Sequence, residues 1–327
     1  MEKVEKKKMP WWKKTLVILG STIGGLIAFL LVFILVLNVG KFGIYHSYYS
    51  IRELVCTNYG INENYCSQGT AITNDGKYVL TSGYMSDKSN SRVYLTDVET
   101  DTTKYVKFVK DGKLNKYHFG GIAVSNDNGF VVSNDSIFTV SLTDIINAEN
   151  GSEIELGKGA PVHNQASFVF TDDEYLYVGE FYNGNEYKTD NSITYNGKTY
   201  NAIVEKYFVD DLTNVLAVYA IRDKVQGFAV SPSGGMLLST SWGLDSSHLY
   251  YYKSSTIVDT NETYLDAPLY VLEEPTLDIK APAMTEDLDY LDGKFYTNFE
   301  TACNKYIFGK FFISSNKIVA LDVESLH

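Results

Sequence analysis

Gln68, Gln165, Gln226 and Glu286 each stand at the head of a short apolar run, and Gly120 holds the same place in a fifth. A Gln amide both donates and accepts, which suits a hydroxyl or amide group on a ligand. His118 and His163 stand two residues ahead of Gly120 and Gln165, and Tyr84, Asp135, Glu180, Trp242 and Glu300 close the second apolar run of each unit. If these positions converge, Gln68, Tyr84, His118, His163, Gln165, Gln226, Trp242 and Glu286 would form a ligand pocket. Glu180, Glu286 and Glu300 would offer oxygens to a divalent cation such as Ca²⁺, which needs several oxygen ligands. Zinc suits the pattern less, because the two His are 45 residues apart with no closely spaced partner. The competing reading is structural: Gln and His would bond backbone carbonyls between modules, and Trp242 and Tyr84 would pack between them. No P-loop, zincin helix, nucleophile elbow or Cys-x-x-Cys assigns a catalytic residue.

The elements that must position these residues are repeats. The clearest is residues 224–243, KVQGFAVSPSGGMLLSTSWG: an apolar strand, a tight turn and a second apolar strand. Copies begin at Gln68, Gly120, Gln165, Gln226 and Glu286, 45 to 61 residues apart. Their turns are Asn74-Asp75-Gly76, Asp127-Asn128-Gly129, Asp172-Asp173-Glu174, Ser233-Gly234-Gly235 and Asp292-Gly293. Asn, Asp and Gly tolerate the positive φ that tight hairpins need. A third strand follows, as in RVYLTDV (92–98) and KIVALDV (317–323), and fourth strands are expected at 104–109, 153–156, 215–221 and 269–273. Four antiparallel strands repeated at this period predict an all-β fold, a β-propeller. Five blades are expected, or six if the insertions at 182–201 or 254–267 hide strands. The last copy ends after its third strand, so part of 41–67 is expected to close the ring.

The QGxA start, the tight turn and the S-x-[YW] ending resemble the extracytoplasmic bacterial β-propellers, among them the lactonase-like and NHL-type groups. The resemblance covers residues 68–323 as a repeat pattern. It implies two kinds of relative: lactone hydrolases that hold a divalent cation in the channel, and binding proteins without catalysis.

Residues 15–39 carry no charged side chain, long enough at 1.5 Å per residue to span a hydrocarbon core of about 30 Å. Seven Lys against two Glu lie in residues 1–41, a balance of +5, which leaves −17 for residues 42–327. Lys-rich flanks stay cytoplasmic. The expected organisation is a cytoplasmic basic tail (1–14), a transmembrane signal anchor (15–39), a connector (40–67) and an extracytoplasmic propeller (68–327). A cleaved signal would have a shorter apolar region and a small-residue cleavage site. The acidic body disfavours nucleic acid, whose phosphates call for a basic surface. Outside the cytoplasm a Cys56–Cys66 disulfide is expected, with Cys303 alone.

The leading expectation is therefore a membrane-tethered propeller that binds a small molecule, glycan or envelope protein at its channel mouth. One alternative is a lactonase-like, metal-dependent hydrolase or lyase. The other is a structural docking platform in the cell envelope.

Overall fold

The computed structural model describes residues 9–114, 118–184, 186–312 and 315–326. It comprises two compact units, residues 1–44 and 45–327. The first unit is a helix, Trp11–Ile44, with none of its residues buried. It is long and apolar enough to cross a membrane, with a mean hydropathy of 2.7 over its most apolar window. That is consistent with a single-pass anchor or a signal sequence. The Lys-rich residues 1–8 of the expected basic tail lie outside the described residues.

The second unit is a five-bladed β-propeller. The first strand of each blade lies innermost: Tyr65–Ile72, Gly121–Ser125, Ala166–Thr171, Val225–Val230 and Thr285–Leu291. Each pairs antiparallel with the next strand of its own blade, as a local hairpin dictates. Four of the five inner hairpin turns use positive φ at the expected residues: Gly76, Asp173, Gly234, and Asp292 with Gly293. The second turn falls earlier than its Asp-Asn-Gly suggests. Asn126 takes the positive φ, and Asn128 already opens the strand Asn128–Ser133.

Glycine permits the close approach of neighbouring inner strands. A Cβ on Gly227 would lie 2.6 Å from Asp287 Cα and Leu288 N, so the fourth blade abuts the fifth backbone to backbone. Apolar side chains then fill the layers between blades; the largest cluster runs from Phe168 and Phe170 through Phe228, Leu237 and Leu249 to Phe295 and Phe299.

The ring is closed by chain from its beginning. After a short helix, His46–Ile51, the strand Arg52–Thr57 pairs antiparallel with Lys317–Leu321 and becomes the outer strand of the fifth blade. Tyr45 and Tyr48 are buried in the main core, and Tyr48 meets Phe299 edge-on.

Two expected outer strands belong elsewhere. The strand expected at 153–156 in the second blade is Glu153–Glu155, and it pairs parallel with Thr102–Lys110 on the outer edge of the first. The strand expected at 269–273 in the fourth blade is Ala267–Val271, and it pairs parallel with Ala217–Ile221 on the third. The true outer strands are Ala160–Pro161 in the second blade and Leu277–Ala281 in the fourth. An unpaired strand edge attracts any chain that passes alongside, so each excursion from one blade covers the rim of the blade before it. The insertions do hold strands, but they form the hairpin Ile193–Tyr195 with Lys198–Tyr200 and the edge strand Val258–Tyr264 rather than a sixth blade.

Candidate functional site at the channel mouth

The heads of the inner strands meet at one end of the ring. Gln68, Gly120, Gln165, Gln226 and Glu286, one from each blade, line a single cavity of about 620 Å³. His118, Tyr84, Trp242 and Glu300 line it too. Residues almost 220 positions apart in the chain thus face one another because each blade presents the same position of its first strand.

On the side of the first and fifth blades the lining is a connected polar network. Tyr84 donates its hydroxyl to Glu300 Oε1 at 2.9 Å, and its oxygen lies 3.3 Å from the hydroxyl of Tyr306. Lys305 donates to the Tyr84 oxygen and sits over the Tyr84 and Tyr306 rings. His118 Nε2 is 3.0 Å from Gln68 Oε1, and its ring packs on Tyr84 with centroids 4.3 Å apart. Neighbouring protein strips water from part of the imidazole, although the residue stays exposed at the mouth, and Lys305 repels a second positive charge there. Its pKa falls to about 4, so it is neutral at pH 7 and donates from Nε2 to the Gln68 carbonyl.

Glu300 and Glu286 are both buried. Burial pushes the Glu300 carboxyl up to about 7, and it pushes Glu286 well above the usual range, aided by the charges of Glu300 and Asp287. The pair therefore retains protons near neutrality, the behaviour of two carboxyls sharing a dry site.

The opposite wall is aromatic. Phe181 stacks on Trp242 with centroids 6.0 Å apart, and Tyr187 meets Trp242 edge-on at 5.7 Å. Gln amides from three blades together with these ring faces can hold a molecule that alternates hydroxyls with apolar C–H faces.

The structure places two candidates away from this cavity. His163 turns to Glu205, whose Oε2 lies 3.2 Å from the His163 backbone N and 3.4 Å from Nδ1. Glu180 is fully buried inside the third blade. It accepts from Asn191 Nδ2 at 2.9 Å, from the Ile203 backbone N–H at 3.1 Å and from that of Gln165 at 3.3 Å. Its side chain fastens the 182–201 insertion, and burial lifts it to about 7.

The expected cation set is therefore not assembled. Only Glu286 and Glu300 of the three carboxyls reach the cavity, and Glu300 already accepts from Tyr84. Among the described residues no three His, Cys, Asp or Glu side chains are placed to hold a metal ion. Two carboxyls, one of them already bonded to Tyr84 and close to Lys305, do not fit a Ca²⁺ that wants six to eight oxygens.

The Cys56–Cys66 pairing is also corrected. Cys66 Sγ lies 2.6 Å from Cys303 Sγ, whereas Cys56 sits in the ring-closing strand. The two buried thiols tie the start of the first blade to the loop that carries Lys305 and Tyr306.

Several lining residues escape the repeat pattern. Asn134, one place before the expected Asp135, lines the cavity, as do Ser167, Phe181, Tyr187, Ser241, Lys305 and Tyr306. Lys305 and Tyr306 stand in the loop after the second strand of the fifth blade, and this adjacent Lys-Tyr pair was the available signal. Phe181 and Tyr187 lie just beyond the end of the third hairpin, where no repeat position marks them.

The fold and mouth define a β-propeller with a mixed polar and aromatic cavity. No known protein family and no curated protein matches the sequence. Among solved structures, the chain is similar to the PQQ-bound aldose sugar dehydrogenase of Streptomyces coelicolor, at 16% identity over 76% of this chain and 77% of that one, TM-score 0.44. It is similar to the glutaminyl cyclase of Myxococcus xanthus at 6% identity, covering 83% and 97%, TM-score 0.45. A chain of a nidogen/laminin complex matches at 10% identity, covering 76% and 85%, TM-score 0.41. The five-bladed description rests on the strand pairing itself, not on these distant likenesses.

Proposed function

We propose that this chain is a membrane-tethered, extracytoplasmic binding propeller whose channel mouth takes a small polyhydroxylated ligand, a short glycan or a similar molecule. One observation carries the reading: a cavity of about 620 Å³ to which all five blades contribute, lined by Gln amides from three blades and by the ring cluster of Phe181, Tyr187 and Trp242. Amide groups exchange hydrogen bonds with hydroxyls, and Trp242 offers a face for the C–H side of a ring. The cavity volume lies in the range of small-molecule sites. Catalysis forms no part of this reading, because the lactonase-like alternative needs a cation site that these residues do not build.

The test uses the full chain in detergent micelles carrying Trp11→Phe and Trp12→Phe, which leaves Trp242 as the sole tryptophan. Neutral oligosaccharides of several linkages are titrated while Trp242 emission is followed. A saturable shift is expected with at least one of them. Gln226→Ala is expected to weaken it about tenfold, the effect of one lost hydrogen bond of about 1.4 kcal/mol. If no saccharide moves the emission of a folded protein, the glycan reading falls.

A further inference from the structure

A second cavity of about 540 Å³ opens beside the mouth and shares Ser241 and Trp242 with it. Its charged lining is different. The mouth holds Glu286 and Glu300 against Lys305, in keeping with an acidic protein of net charge −12. The second cavity gathers Lys198, Arg222 and Lys224.

These three cations come from two pieces of chain. Lys198 stands on the insertion strand Lys198–Tyr200, and Arg222 and Lys224 flank the tight link between the outer strand of the third blade and the inner strand of the fourth. Among the described residues none of them forms a salt bridge. Aromatic faces support two of them instead: Arg222 lies 3.4 Å from the ring centre of Tyr250, and Lys198 lies 5.1 Å from that of Tyr200. A ring face steadies a cation without occupying its N–H groups. A second sign is the floor beneath them: Tyr200 is 1% exposed and the Nε of Arg222 is buried, so Arg222 is held against Tyr200 and Tyr250 with its remaining N–H groups left for the cavity. Lys224 adds a third sign, holding a left-handed φ of 64° in the link. A non-glycine residue pays for that conformation, and such strain gathers where a side chain is being aimed.

We infer that this second cavity is an anion subsite, taking a carboxylate or phosphate group carried on the ligand whose hydroxylated part occupies the mouth. The ligand would then be an acidic saccharide, lying across Trp242 with its charged group between Arg222, Lys224 and Lys198. The Asp223 and Asp245 carboxylates lie at the exposed edge, so the three cations exceed the two carboxylates by one positive charge. This inference rests on the binding reading above for the ligand's body, but its own residues are different.

The experiment follows Trp242 emission in the same full-chain protein. Glucose, glucuronate, glucose 6-phosphate and inorganic phosphate are the probes, at constant ionic strength. Tighter binding of an acidic sugar than of glucose, by tenfold or more, is expected, and Lys224→Gly should erase most of that preference. Glycine suits the left-handed link, so this variant removes the charge without straining the fold. Arg222→Gln serves as the second variant. Whichever acidic sugar binds tighter tells carboxylate from phosphate. Equal binding of glucose and both acidic sugars overturns the anion subsite and leaves the mouth reading standing. A response to inorganic phosphate that needs Lys224, with no response to any sugar, upholds the anion subsite and removes the mouth reading. No response to any probe overturns both.

Discussion

Glu180, Asp289 and Glu300 are buried carboxyls, each pushed up to about 7 by its removal from water. In the unfolded chain such groups release their protons near pH 4. The folded protein therefore holds more protons than the unfolded chain between about pH 4 and pH 7, and its stability falls as pH rises through that window. Exposed carboxylates with lowered values, such as Asp101 bonded to Thr57, act in the opposite sense but at lower pH. The expected outcome is a urea midpoint that declines from pH 5 to pH 7.5. Glu180→Gln should flatten that decline, since its amide carbonyl still accepts from Asn191 and from the Ile203 backbone. Glu180→Ala should cost about 2 kcal/mol at either pH, because buried donors are left without an acceptor. A midpoint that rises over the same range would refute the assignment. Cys66 and Cys303 give a second test at this scale. A disulfide oxidant, such as oxidised glutathione, should take two electrons from the two thiols as they lose their protons, forming one S–S bond and two glutathione thiols. Peptide mapping without reductant should then recover Cys66 joined to Cys303 and leave Cys56 free for alkylation. A Cys56–Cys66 peptide would contradict the geometry.

The hairpins and the outer edges differ in how far their causes reach along the chain. A hairpin needs a turn residue of suitable φ and two neighbouring apolar strands, all within about 15 residues. That is why the five inner hairpins can be read from Asn, Asp and Gly placements, and why the five strand heads point to one mouth. An outer strand needs only an edge to pair with, and nothing within residues 153–156 or 269–273 says whose edge that is. Both runs joined the preceding blade in parallel. The cation set failed for a related reason. Glu180 follows the repeat, but the 182–201 insertion supplies Asn191 and claims its carboxyl. Aromatic and cationic lining from Phe181, Tyr187 and Lys305 came from irregular segments that carry no periodic signal. The inner strands make the sharpest prediction at this scale. Gly227→Ala would place a methyl 2.6 Å from the backbone of Asp287, which cannot yield as a side chain end could. A loss of about 2 kcal/mol is expected in denaturant unfolding. Gly243→Ala is the control for open space, since nothing lies within 4 Å of its Cβ position, although its φ of 59° adds some strain. A loss at Gly227 no larger than that at Gly243 would mean that blade contact does not set the cost, since only Gly243 carries a left-handed φ.

The whole molecule joins a charge-free apolar segment to a strongly acidic body, and the two parts ask for different surroundings. Residues 15–39 supply enough apolar length for a bilayer, and a helix with no polar face gains little in water. Residues 42–327 carry −17, which repels the anionic face of a membrane at separations within the Debye length of roughly 10 Å at 0.1 M salt. Attachment should then depend on the helix alone. In membranes of the expressing cell, the full 36.7 kDa chain is expected to stay in the pellet through alkaline carbonate washing. A protease site placed after Ile44 should release the body completely on cleavage. The released body should then ignore phosphatidylserine vesicles at 20 mM and at 200 mM salt alike, since its net charge of −17 outweighs the three cations gathered at the second cavity. Rebinding at low salt would show that the propeller itself recognises the surface and that the helix is only part of the attachment. Recovery of the body from culture medium without its first 40 residues would instead show that the apolar segment is a signal removed during export. In that event the mouth keeps its geometry, but the ligand it meets would be sought away from the membrane.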